Sequence, residues 1–143
     1  RYARDNAAAA GILQPERKNS LRVVHGVAEA LPLETNSADA VVCTLTLCSV
    51  LSPEAALAEV KRVLKPGGKF LFHEHVLSET DEDLADYQRR NDPMQVLRAD
   101  GCHLIRRTLD TIKSAGFTSV DGEYYDLKDF TILNPTVTGI ATA

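Results

Sequence analysis

The stretch from Asp39 to His75 constrains this chain more than any other. It reads Asp-Ala-Val-Val-Cys-Thr-Leu-Thr, then Ser-Pro-Glu-Ala-Ala-Leu-Ala-Glu-Val-Lys-Arg-Val-Leu, then Lys-Pro-Gly-Gly-Lys-Phe-Leu-Phe-His-Glu-His. Ala40–Thr46 is an apolar, β-branched run of the kind that forms a strand buried on both faces. Ser52 is a good N-cap and Pro53 suits the first helical position. Ala56, Leu57, Val60, Val63 and Leu64 recur at helical spacing and give one apolar face. Pro66-Gly67-Gly68 is expected to stop the helix and turn the chain into a strand over Lys69–Val76. A strand, helix and strand in this order form a parallel crossover, so the fold class is α/β.

Around this unit the chain offers further elements. Arg1–Ala10 has high helix propensity and Gly11 suits a C-cap. Gln14–Ser20 is a polar loop. Leu21–Val27 is β-rich and is expected to form a strand ended near Gly26; Ala28–Ser37 connects it to the crossover. Thr80 and Asp83 suggest a capped helix to about Arg90, broken by Asn91-Asp92-Pro93. Val96–His103 is irregular. Thr108–Ala115 reads as a helix with Leu109 and Ile112 inward and Gly116 as its cap. Thr118–Tyr125 and Thr136–Thr142 read as strands with no helix between them, so they should be antiparallel neighbours.

Composition narrows the function classes. The 143 residues suffice for one domain with its own core. A net charge of −4 disfavours a nucleic-acid-binding surface, which needs clustered Lys and Arg. No apolar run reaches the roughly 18 residues of a membrane-spanning helix, and no signal peptide pattern opens the chain. Cys43, Cys48 and Cys102 form no metal-ligand spacing and no disulfide framework, so the expectation is no metal and three reduced thiols. That points to a reducing compartment, cytoplasmic by default.

Three segments in order carry a family likeness: Gly26-Val27-Ala28-Glu29-Ala30-Leu31-Pro32, Ser37-Ala38-Asp39-Ala40-Val41-Val42, and Arg62-Val63-Leu64-Lys65-Pro66-Gly67-Gly68. With Ala115-Gly116-Phe117 before the final strand pair, the chain resembles the class I S-adenosylmethionine-dependent methyltransferases of the type 11 domain. Val42–Val50, Glu74-His75-Val76 and Asp100-Gly101-Cys102 resemble the methyltransferase-like seven group, which methylates small thiols. The resemblance implies a Rossmann-like sheet, mostly parallel with an antiparallel C-terminal hairpin, and S-adenosylmethionine as cofactor. In that family a Gly-rich loop holds the methionine part of the cofactor, and an acidic strand end binds the ribose. Neither motif lies in these residues, and Arg1–Ala10 resembles the helix that follows them. The expectation is therefore an N-terminally truncated domain, residues 1–143 being its C-terminal two-thirds. Leu21–Val27 would then lack its sheet neighbours and would have to pair with Ala40–Thr46, or the bare edge would have to dimerise, or the region would stay loose.

Cofactors in such sheets sit at the carboxyl ends of the strands. The resemblance puts Gly26, Val27, Ala28 and Glu29 near the adenine. Val27 stands where relatives usually carry Asp, so its contribution is apolar contact, with the Ala28 amide free to reach a ring nitrogen. Thr44 and Leu45, at the end of the strand from Ala40, would run along the cofactor's sugar and methionine. His75 is the candidate catalytic residue: with Glu74 it lies at the polar end of a buried strand, where a neutral imidazole can take a proton from a thiol or hydroxyl acceptor. His73 shares a face with His75 and Glu74 takes the other. The expected function is methyl transfer to a small-molecule acceptor, a thiol being the leading candidate. The alternatives are a paralogue that binds no cofactor, or a nicotinamide-dependent Rossmann enzyme, which would not end in a helix-free strand pair.

Overall fold

The computed structural model describes residues 2–14, 16 and 18–143; Arg1 of the expected first helix, and Pro15 and Arg17 of the polar loop after it, lie outside the described residues. In chain order the elements are α1 (Tyr2–Ala9), β1 (Ala38–Thr44), α2 (Pro53–Val63), β2 (Leu64–His75), α3 (Glu82–Arg98), α4 (Thr108–Ser114), β3 (Ser119–Asp126) and, after a short 3-10 turn at Thr131–Leu133, β4 (Pro135–Thr142). The four strands form one sheet in the order β1-β2-β4-β3.

The crossover is as expected: β1 runs parallel to β2, with Val42 opposite Leu71 and Thr44 opposite His73. Its helix begins where the sequence says it should, with the Ser52 side chain accepting from the Ala55 amide and Pro53 in the first turn. Ala56, Leu57, Val60 and Val63 are buried on one face, the first three in a single core with Phe70, Phe72 and Ile112. The strand pair at the end is antiparallel, as β3 pairs with β4. β4 also lies antiparallel to β2, inserted between β2 and β3. That insertion needs a glycine: a Cβ on Gly139 would stand 2.3 Å from the Asp121 carbonyl and 2.6 Å from the Phe72 ring.

Four expectations are corrected. First, Leu21–Val27 forms no strand; the region makes only an isolated bridge between Val27 and Ala30. A strand exists only through a neighbour's hydrogen bonds, and the outer edge of β1 pairs with nothing among the described residues. Second, β1 is not buried on both faces. It spans Ala38–Thr44 with only intermediate and exposed positions, and Val42 is 72% exposed, because no helix among the described residues covers its face of the sheet. Third, Lys65–Gly68 is no separate turn. β2 starts directly at Leu64, and a register shift against β1 absorbs the extra residues, with Gly67 at φ +78°. Fourth, α3 is capped by Asp81, not Thr80, and continues through Pro93 to Arg98. Proline removes one amide donor from a helix. Asp92 binds outward, accepting from the Leu104 amide at its Oδ1 and meeting His103 Nδ1 with Oδ2, which holds this part of the helix to the following loop.

Candidate active site at the strand ends

β1 ends in a sharp departure. Leu45 has φ +50°, a left-handed conformation unusual for a branched residue and most often found where surrounding structure enforces it. Its amide makes one last ladder bond to the His73 carbonyl at 2.9 Å. The next amide, of Thr46, donates to Glu74 Oε1 at 3.0 Å. Cys43 Sγ donates to the same oxygen at 3.3 Å. Glu74 is fully buried, and burial pushes its carboxyl above the usual range against the pull of the Thr46 amide and the Cys43 thiol. Burial first, then the Glu74 charge, pushes the Cys43 thiol up to about 12. Cys43 is thus an inert thiol that helps pin the turn.

One residue on, His75 is 4% exposed. Its Nε2 lies 3.1 Å from Cys102 Sγ, and Nδ1 finds no partner among the described residues. Burial holds its pKa below the ordinary value, so the ring is neutral near pH 7. Cys48 closes the cluster; the Sγ atoms of Cys48 and Cys102 and a ring nitrogen of His75 all lie within 4.8 Å of one another. Burial pushes the Cys48 thiol up to about 11. His73, two residues before, instead meets the Tyr125 hydroxyl through Nδ1 at 3.2 Å.

Two hollows adjoin these strand ends. A cleft of about 320 Å³ is lined by Val27, Ala28 and Glu29 on one side and Thr46, Ser49, Val50 and Leu51 on the other. A broader trough of about 530 Å³ crosses the open face of the sheet, lined by Val42, Thr44, His73, Thr138 and Ile140 among others. Three of the expected cofactor residues, Val27, Ala28 and Glu29, therefore meet in one cleft. Gly26 does not line it; a Cβ there would stand 2.7 Å from Pro32 Cδ. Thr44 lies in the trough instead, and Leu45 is the bend that follows β1. His75 lines neither of the two hollows. The Glu29 carboxylate faces the protein, accepting from the Leu51 amide at 2.7 Å and the Ser52 amide at 3.2 Å. Its own amide and those neighbours hold it below the usual carboxylate range.

Sequence reasoning missed three features here. Cys48 and Cys102 are far apart in the chain, so spacing alone could not bring them to His75. Arg106 donates to the carbonyls of Leu47 and Val50 and so fixes the turn after β1; no local pattern marks it. The pairing of His103 with Asp92 at 3.1 Å arises only because α3 passes Pro93.

A mixed sheet built on a parallel crossover, with an apolar cleft and a polar cluster at the carboxyl strand ends, defines the Rossmann-like class of enzyme. The methyltransferase domain family matches residues 2–72. Over 92 residues, 64% of this chain, the sequence is 47% identical to thiol S-methyltransferase TMT1B of Rattus norvegicus, of which it covers 38%. It is 45% identical to thiol S-methyltransferase TMT1A of Homo sapiens over 84 residues, or 59% of this chain and 34% of that protein. The chain thus spans well under half the length of these relatives. Among solved structures, an S-adenosylmethionine-dependent methyltransferase of Thermotoga maritima, described as a possible histamine N-methyltransferase, superposes with a TM-score of 0.62 at 25% identity, covering 88% of this chain and 66% of that one. The [4+2]-cyclase SpnF has the same fold, with a TM-score of 0.66 at 20% identity over 98% of this chain and 60% of that one. Residues 2–72 thus match a methyltransferase domain, and the fold is that of S-adenosylmethionine-dependent methyltransferases of solved structure.

Proposed function

We propose that the protein transfers the methyl group of S-adenosylmethionine to the sulfur of a small thiol. The observation that carries this reading is the 47% identity to a thiol S-methyltransferase, over a segment that makes up 64% of this chain. The antiparallel β4–β3 pair argues against the nicotinamide alternative.

The residues present fit one flank of the cofactor. The cleft beside Ala28 is walled by Val27, Val50 and Leu51, apolar side chains suited to a flat adenine, and its volume is near the lower end for a small-molecule site. Glu29 contributes by bracing Leu51 and Ser52 from within, so the wall opposite Ala28 holds its shape. When bound, S-adenosylmethionine supplies a methyl carbon on a sulfonium, already an activated electrophile. What remains for the chain is to align an acceptor sulfur and exclude water. The turn at Thr46, tied to the buried Glu74, gives the rigid edge such alignment needs. His75, neutral and next to Cys48 and Cys102, serves the acceptor side.

The test uses the whole protein with methyl-labelled S-adenosylmethionine and a small aliphatic thiol, with the matching alcohol as control. Labelled thioether from the thiol and none from the alcohol is expected. Calorimetry with S-adenosylhomocysteine should show binding that Ala28→Trp weakens at least tenfold. No thioether and no heat of binding would overturn the reading in favour of a paralogue that binds no cofactor.

A further inference from the structure

The methyl-transfer reading leaves Cys48 and Cys102 without a task, yet they are among the most deeply buried polar-capable groups of the chain. They arrive with His75 from three separate segments: the turn after β1, the end of β2 and the turn after α3. Exposures are 2% for Cys48, 4% for His75 and 8% for Cys102. A buried imidazole needs partners for its polar atoms, and among the described residues this one has one hydrogen-bond partner, the Cys102 thiol at 3.1 Å.

We propose that Cys48 Sγ, Cys102 Sγ and His75 Nε2 form a binding site for a thiophilic metal ion, zinc in the first instance. The spacing suits it. Zinc–sulfur bonds of about 2.3 Å and zinc–nitrogen bonds of about 2.0–2.1 Å set tetrahedral donors roughly 3.5–3.8 Å apart. The two sulfurs and a ring nitrogen of His75 already lie within 4.8 Å of one another, so shifts of about an ångström complete the geometry. Two sulfurs and an imidazole select zinc or copper(I) and reject magnesium and calcium, which demand oxygen ligands. The surroundings suit metal-bound thiolates. Gln95 Nε2 points to Cys102 Sγ at 3.7 Å, and Ser49 Oγ lies 3.5 Å from Cys48 Sγ, so each sulfur has a donor group beside it of the kind that orients a ligand and spreads its charge. The expectation of no metal rests on the wide cysteine spacing, but strand ends and turns bring these residues together irrespective of their separation along the chain.

Closed structural zinc sites use four protein ligands, whereas three leave a fourth position open. The cluster adjoins the Ala28 cleft, since Ser49 both lines that cleft and touches Cys48. The fourth position therefore takes a small thiol. This second part rests on the methyl-transfer reading. On binding, the thiol releases its proton to solvent and its sulfur joins the metal. The sulfur lone pair then forms the new carbon–sulfur bond while the methyl–sulfonium bond breaks, leaving a thioether and neutral S-adenosylhomocysteine. No oxidant or reductant is needed.

The experiment titrates the reduced, metal-free whole protein with zinc against a chromophoric chelator, and with cobalt(II) followed by absorption. One zinc per chain is expected, with a cobalt–thiolate charge-transfer band and the intense visible bands of a tetrahedral ion. Cys48→Ser and Cys102→Ser should each abolish the band, and His75→Ala should weaken it. Cys43→Ser should leave it intact, and a small thiol added to the cobalt form should shift its visible bands. No zinc uptake by the reduced wild type overturns the proposal, and so does uptake unchanged in the Cys48→Ser/Cys102→Ser double variant. Because the wild-type titration needs no variant to fold, it decides alone. A Cys48–Cys102 disulfide formed under mild oxidation in preference to zinc uptake by the reduced form also overturns it. Zinc uptake with no methyl transfer refutes the thiol-activation part and leaves the metal site standing. Methyl transfer by a chain that takes up no zinc refutes the site and leaves the methyltransferase reading standing.

Discussion

Gln88 ties the strand end that carries His75 to the rest of the molecule, and replacing it with leucine is the sharpest test of how that end is held. Gln88 lies in α3 and is fully buried. Its Oε1 accepts from the Ser78 amide at 2.8 Å, and its Nε2 donates to the carbonyls of Val76 at 3.0 Å and Ile132 at 2.8 Å. One side chain thus closes three backbone groups, two of them in the segment that follows His75 directly. Leucine fills nearly the same space and removes all three bonds. The Ser78 amide, in a residue 5% exposed, is left unpaired at a cost of about 1–3 kcal/mol, and each carbonyl loses about 0.5–1.5 kcal/mol. The more apolar side chain recovers about 1 kcal/mol. The net loss is about 3 kcal/mol, or a melting temperature lower by roughly 10 °C. Urea unfolding with unchanged slope and a shifted midpoint is the assay. A Gln88→Leu protein within about 0.5 kcal/mol of wild type would refute the view that these bonds hold the strand end. Gln88→Glu should be worse at neutral pH, because a carboxylate has no proton for the two carbonyls.

The other outcomes follow from separate parts of the fold. Gly139→Ala should cost about 3 kcal/mol, because its Cβ would meet the Asp121 carbonyl at 2.3 Å; a circular-dichroism melt checks this, and an unchanged melting temperature would count against the close β3–β4 approach. Glu59 is held down to about 2, chiefly by the Arg62 guanidinium, which it meets at 2.7 Å. Its contribution is therefore present above the unfolded value near 4.5 and lost as pH falls from there toward 2. Glu59→Gln should lower the urea midpoint at pH 6 and make no difference near pH 2, and a gap that persists at low pH would show that charge is not the cause. His75→Ala should lower turnover on a thiol while the affinity for S-adenosylhomocysteine holds; loss of both, with a lower melting temperature, would make His75 a purely structural residue.

What the sequence made legible is what local chemistry decides. Ser52-Pro53 specified a helix start because a cap acts within three residues, and the side chain of Ser52 does accept from Ala55. The parallel crossover and the antiparallel end followed from element order alone. Leu21–Val27 was misread because β-propensity reports a surface that fits a sheet, while strand formation depends on a partner that no local signal reveals. Pro93 was misread as a break because proline's cost is local and its compensation is not: Asp92 holds Leu104 and His103 from a separate loop. The Ala28 cleft was legible only through resemblance, and the meeting of Cys48, Cys102 and His75 not at all.

The end of β2 shows how little backbone the site needs. Successive side chains of a strand point to opposite faces, so Glu74 and His75 serve two sides of the sheet from adjacent positions. Glu74 looks toward Cys43 and the Thr46 amide and fixes where the chain leaves β1. His75 looks toward Cys102 and forms the cluster that the turn after β1 completes with Cys48. The two are coupled through that turn: Glu74 holds Thr46, Arg106 holds Leu47, and the residue after Leu47 is Cys48. Shifting Glu74 therefore moves Cys48 against His75. A one-residue slip of β2 would exchange the two faces entirely, placing the carboxylate among the thiols and the imidazole beneath the turn. The seven paired positions between β2 and β4 exclude that slip. The register of the β2–β4 pair thus decides which chemistry the site can carry.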